Sequence, residues 1–116
     1  MSLVMKKYTY ENKNYLVYDR NILDNKFSME QWAFICSNSQ GVGVDFVFDI
    51  TNDALFIYDK YGEQIFLDEK IIEKISLHHR NINKCKEIAH DVEVRFTNYY
   101  IEKLLLLNYN KISYSA

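Results

Sequence analysis

Only three glycines occur in the 116 residues, and all three fall in one stretch. Glycine tolerates positive φ and close backbone approach, so scarce glycines mark positions that the backbone dictates. Gly41 and Gly43 stand in Gly41-Val42-Gly43-Val44-Asp45-Phe46-Val47-Phe48, and Gly62 in Ile57-Tyr58-Asp59-Lys60-Tyr61-Gly62-Glu63-Gln64. The stretch reads as strand, turn, strand, turn. Gly41, Gly43 and Gly62 are assigned structural roles, the first two permitting a tight entry into a buried strand. A phosphate loop is disfavoured, because no Lys-Ser/Thr pair follows the glycines.

The length fits one domain with its own core. Hydrophobic residues make up 48% and charged residues 26%, the usual composition of a globular chain. Sixteen acidic against fourteen basic residues give a net charge of -2. This argues against a broad phosphate-binding surface, and no nucleic-acid partner is expected. The longest apolar run is Leu104-Leu105-Leu106-Leu107, far short of a membrane span. Met5 followed by Lys6-Lys7 reads as a natural start with Met1–Val4 an addition, and residues 1–5 are expected to be added or disordered. Cys36 and Cys85 follow no disulfide framework, so reduced thiols in a cytoplasmic protein are expected.

Tyr8–Tyr10 and Tyr15–Asp19 predict two strands about the turn Glu11-Asn12-Lys13-Asn14. Ser28-Met29-Glu30-Gln31 has the form of a capping box, predicting a helix through Cys36 that buries Trp32, Ile35 and Cys36. Strands are expected at Val42–Ile50, Ala54–Tyr58 and Gln64–Leu67, with turns at Thr51-Asn52-Asp53 and Lys60-Tyr61-Gly62-Glu63. Asp68 then caps a helix carrying Ile71, Ile72, Ile75 and Ile82, with His78 and His79 near the same face. A polar loop at Asn83–Asp91 leads to a half-buried strand through Val92, Val94 and Phe96. Two more strands are expected at Tyr100–Leu107 and Ile112–Tyr114, around Asn108-Tyr109-Asn110. The order lacks regular strand–helix alternation, so the expected class is α+β: a curved mixed or antiparallel sheet wrapped around one main helix.

Several of these landmarks coincide with those of a known family. Tyr15-Leu16-Val17-Tyr18-Asp19 is a strand ending at an aspartate, and Phe27-Ser28-Met29-Glu30 opens a helix. Gly41–Asp45 follow, and then the turn Tyr58-Asp59-Lys60-Tyr61-Gly62-Glu63-Gln64. In this order and spacing the chain resembles the N-terminal half of diaminopimelate epimerase, over roughly Tyr8 to Tyr114. That family runs Gly-Val-Gly-x-Asp-Gln, then Phe-Asn-x-Asp-Gly-Ser-Glu, then Gln-Cys-Gly-Asn-Gly into a helix. The resemblance implies a fold similar to one half of the enzyme. The family's activity needs two thiols, one from each half, on opposite faces of a substrate carbon.

Residue by residue, the resemblance points to positions filled by other chemistry. The cysteine position falls at Asp68, and Gly-Asn-Gly becomes Glu69-Lys70-Ile71. The glutamine becomes Phe46, and the asparagine of the turn becomes Asp59. The early substrate asparagine lands near Lys13, beside Asn12 and Asn14. A helix N-terminus with free N–H groups binds a carboxylate; Asp68 and Glu69 would occupy that end and repel a second anion. Lys13, Phe46, Asp59, Asp68 and Glu69 therefore mark a degenerate site, and no catalytic residue is assigned.

Other constellations read as structural. His78-His79 with Cys85 and His90 lacks a standard ligand spacing, so no metal and no cofactor are assigned; a histidine pair at a helix C-terminus interacting with the dipole is the simpler reading. Cys36 and Cys85 lack a positioned base. The ten tyrosines and seven phenylalanines suit strands better than stacking platforms, and Tyr99-Tyr100 and Tyr109 are candidates for a protein contact. The expected function is a non-catalytic binding or assembly domain, with a homodimer or protein partner. The alternatives are an amino-acid isomerase acting as one half of a larger assembly, and an unrelated small α+β protein of mobile-element origin.

Overall fold

A two-residue turn starts the sheet. Glu11 and Asn12 take φ of 50° and 64°, the left-handed geometry whose twist matches that of paired strands. They join β1 (Leu3–Tyr10) to β2 (Lys13–Asp19), antiparallel with Tyr10 opposite Lys13. The structure, a computed structural model, describes residues 3–20, 26–81 and 84–115. Residues 3–5, expected as an addition or a disordered lead, belong to β1, and Leu3 and Met5 are buried in the core.

Helix α1 (Met29–Cys36) carries the chain from β2 to β3 (Phe46–Ile50), which pairs parallel to β2. Its capping box is complete. Gln31 N–H donates to Ser28 Oγ at 3.2 Å, and Ser28 N–H donates to Gln31 Oε1 at 2.8 Å. β4 (Leu55–Asp59) returns antiparallel to β3, and α2 (Glu69–His79) follows. β5 (Ala89–Phe96) pairs antiparallel with the other side of β1, and α3 (Asn98–Ser115) comes last. The sheet order is β4-β3-β2-β1-β5. The class is α+β with a mixed sheet.

Each face of the sheet has its own core. Leu16, Tyr18 and Val47 face α1 and α3, with Trp32, Ile35 and Leu104. Tyr15, Val17 and Phe48 face α2, with Ile75. The central strand β2 is covered on both sides, so Tyr15 through Tyr18 are all buried, as in sheets sandwiched between helices.

The largest correction is at the C-terminus: the strands expected at Tyr100–Leu107 and Ile112–Tyr114 are the single helix α3. Thr97 starts it, its hydroxyl accepting from Tyr100 N–H at 3.1 Å and its carbonyl from Ile101 N–H at 3.0 Å. Tyr100, Leu104 and Leu107, four and three residues apart, all pack on the α1-side core. The strand expected from Val42 starts at Phe46, because Gly43 has φ of +74° and residues 41–44 bond to the end of α1 instead. The strand expected at Gln64–Leu67 is reduced to one bridge, Gln64 to Tyr58. Asp68 caps α2, which ends at His79; Ile82 and Asn83 lie outside the described residues.

Candidate functional site

All three glycines serve the seating of α1. The last carbonyls of a helix lack intrahelical partners, and the glycine loop supplies them. Val42 N–H donates to Ile35 O at 2.7 Å, Val44 N–H to Cys36 O at 3.2 Å and Gly41 N–H to Ser37 O at 3.0 Å. A Cβ at Gly41 would stand 2.0 Å from Ile35 O, and one at Gly43 2.8 Å from Asn38 Oδ1. Gly62 sits against the other end of the helix, where a Cβ would stand 2.1 Å from Met29 O.

This seating leaves a cleft of about 420 Å³ between the end of α1 and one end of the sheet. Asn14, Cys36, Asn38, Asp45, Lys60 and Tyr61 are among its lining residues. The strand register gathers the expected positions here. Phe46 opens β3 beside Tyr15 and opposite Asp59, the last residue of β4, and Lys13 opens β2. Their immediate neighbours Asn14, Asp45 and Lys60 form the wall. Phe46 itself turns to the opposite face and stacks on Tyr15 at 5.5 Å. Lys13 is exposed. Asp68 and Glu69 are exposed at the start of α2 and do not line the cleft.

The polar groups around the cleft are largely engaged in holding the backbone. Asn14 N–H donates to Asp45 Oδ2 at 2.8 Å, and Asp45 N–H returns a bond to Asn14 O at 2.9 Å. Thr9 Oγ1 donates to Asn14 Oδ1 at 2.7 Å. Asp59 Oδ1 accepts from the N–H groups of Tyr61 at 2.9 Å and Glu63 at 3.0 Å, which folds the Gly62 turn. Asp68 Oδ1 likewise accepts from Lys70 N–H at 2.8 Å. Burial, with the carboxylates of Asp59 and Asp45 nearby, pushes the Cys36 thiol up to about 12. At neutral pH it is a protonated thiol, while the nucleophile or base would be a thiolate. The cleft can hold a polar group through Lys60, Asn38 and Asp45.

The histidines form a second polar cluster, on the α2 face. The Tyr8 hydroxyl shares a 2.9 Å hydrogen bond with His79 Nδ1, and His79 Nε2 stands 3.8 Å from Asp19. Cys85 N–H donates to His78 Nδ1 at 3.1 Å, and His78 Nε2 stands 3.8 Å from Asp91. Burial lowers the pKa of His79, with Asp19 opposing, and raises that of Tyr8 to about 12. The adjacent histidines thus pin β1 and the 85–91 segment to α2. Among the described residues no three His, Cys, Asp or Glu side chains group as a metal site, and the His90 side chain lies outside the description. No helix among them is long and apolar enough to cross a membrane.

The residues that sequence reasoning passed over in the cleft are Asn38, Asp45, Lys60 and Tyr61. Asp45, Lys60 and Tyr61 stand inside landmarks quoted above without a role of their own, and Asn38 stands two residues after Cys36. No protein-family model matches the chain, and no curated protein matches it.

Proposed function

We propose that the chain is a non-catalytic binding or assembly domain whose likeness to one half of diaminopimelate epimerase is one of arrangement and not of chemistry. One observation carries this reading. At the end of the sheet where the family's positions would meet, the nearby thiol, Cys36, is buried among carboxylates and held up to about 12. Further support comes from Asp59 and Asp68, which spend their carboxylates on backbone N–H groups of a turn and a helix start. What stays available in the cleft is a cation, an amide and a carboxylate, a set suited to holding a polar group. Two free thiols, Cys36 and Cys85, are in keeping with a cytoplasmic setting.

The test is α-proton exchange in D2O with diaminopimelate, proline, glutamate and histidine. The expected outcome is no deuterium incorporation above background, and no change when Cys36→Ser and Cys85→Ser are combined. Incorporation that depends on either cysteine would overturn the non-catalytic reading in favour of the isomerase.

A further inference from the structure

β5 is the last strand on its side of the sheet. Six of its eight residues, Ala89 and Val92–Phe96, pair with β1 on one side, across a register shift between Lys7 and Thr9, and no described strand pairs with the other side. An open edge is a row of unpaired N–H and C=O groups, which proteins usually block with a bulge, a proline or charged side chains. Along the body of this edge, residues 92–96 are regular and free of proline, and the β1 pairing is in register from Leu3–Phe96 to Lys7–Val92. Its charges are of both signs. Val92 and Val94 lie on the α1 and α3 face, opposite Lys7 and Met5 of β1, and Val92 is 46% exposed. Glu93 and Arg95 lie on the α2 face, 41% and 71% exposed, and are ion-paired with each other at 2.7 Å within the strand, a contact that pairing with a second copy would exchange or share.

We propose that β5 is a homotypic docking edge, at which two copies pair their strands antiparallel about a twofold axis through Val94, perpendicular to the sheet. This rests on the assembly reading above and names its partner as a second copy of the chain. The charge pattern selects the copy and the register. Such a twofold keeps both copies' like faces together, so only registers centred on a residue are allowed. Centred on Val92, Asp91 meets the partner's Glu93. Centred on Glu93, that carboxylate meets itself, which offsets the two contacts of Asp91 with the partner's Arg95. Centred on Arg95, two guanidinium groups meet. Centred on Val94, Glu93 faces the partner's Arg95 twice over, and Val94 and Val92 face the partner's Val94 and the partner's Phe96. Opposite charges directly across a strand pair stabilise and like charges destabilise, so the Val94 register, with two opposite-charge pairs and no like pair, is favoured. Asp91 keeps its own ion pairs, 3.9 Å to Lys6 and 3.9 Å to Lys84. On the apolar face a groove of about 270 Å³, lined in part by Val42, Val94, Phe96 and Tyr100, runs beside the edge. The partner's Val92 comes to lie there. The resulting ten-stranded sheet is a closed isologous dimer.

The experiment is light scattering coupled to size exclusion, run up to several hundred micromolar, on the full chain and three variants. The native chain is expected to dimerise. Arg95→Glu and Glu93→Arg should each raise the dissociation constant at least tenfold, since each sets like charges across the twofold. The double swap should restore the dimer. If a swap disturbs folding by circular dichroism, Val94→Cys decides. Antiparallel partners on the axis stand within disulfide reach, so mild oxidation should give a 94–94 cross-link between copies. A native dimer that ignores both single swaps, or forms no such cross-link, overturns the β5 edge while leaving assembly through another face intact. A native monomer throughout overturns the homotypic edge as well, and leaves the assembly reading only a different protein. Deuterium exchange bears on the non-catalytic reading alone.

Discussion

The two faces of the sheet are held by different means. On the α1 and α3 face, Trp32 is fully buried among Tyr18 and Phe27 edge-on and Tyr58 stacked, with ring centroids 5.0–5.8 Å away. The helix that carries it is clasped by glycine backbone at both ends. On the α2 face the helix contributes one fully buried residue, Ile75, and its C-terminal end is fastened by the Tyr8–His79 hydrogen bond and the His78 contact to residue 85. The first face depends on shape and close approach. The second depends partly on a protonation state. Loss of volume should therefore hurt the first face most, and acid should act on the second.

The largest expected effect is Trp32→Ala, which empties the aromatic ring and should cost about 3–5 kcal/mol. Ile75→Ala on the other face should cost less, about 2–4 kcal/mol, because the half-buried Ile71 and Ile72 beside it can settle. Urea denaturation of both variants measures the difference, and a larger loss for Ile75→Ala would break the comparison.

Next is Gly43→Val. At φ of +74°, with Asn38 Oδ1 in the path of a Cβ, a β-branched residue should cost about 1–3 kcal/mol. Gly43→Asn should cost less, since asparagine tolerates this region. Equal stability of the native and valine forms in thermal melts would remove the backbone argument for the first face.

The smallest effect sharpens the account of the second face. Burial lowers the His79 pKa, so the fold prefers the neutral imidazole. That preference contributes its full stability above the unfolded value of about 6.5 and loses it as pH falls through the lower folded value. Stability measured downward from pH 7 should fall more steeply for the native chain than for His79→Gln. Parallel slopes would show that His79 fastens α2 without sensing pH.

Most of the local structure was legible in the chain. The Ser28 capping box located the start of α1, and Asp68 the start of α2, because both depend on side chains bonding to neighbouring backbone. The hairpin was read with a turn two residues too long, since polar Lys13 and Asn14 look like loop but pair in β2. The C-terminal helix was missed. Its run Leu104–Leu107 is apolar all round, without the alternation or the narrow stripe that separates strand from helix. Its partner lies far along the chain: Tyr100, Leu104 and Leu107 pack on the α1-side core, and Gln31 of α1 donates its Nε2–H to Leu104 O at 3.1 Å across 73 residues.

The sequence by itself determined where the backbone must bend and which residues cap each of the first two helices. Only the tertiary structure decided that the three glycines converge on one helix, that Asn14, Asp45 and Lys60 share a cleft, and that Cys36 is held as a thiol. Those outcomes depend on strand register and burial, which bring together groups 15 to 46 positions apart. A thiol's charge is set by the carboxylates and the solvent exclusion around it, and neither is written in its neighbours along the chain.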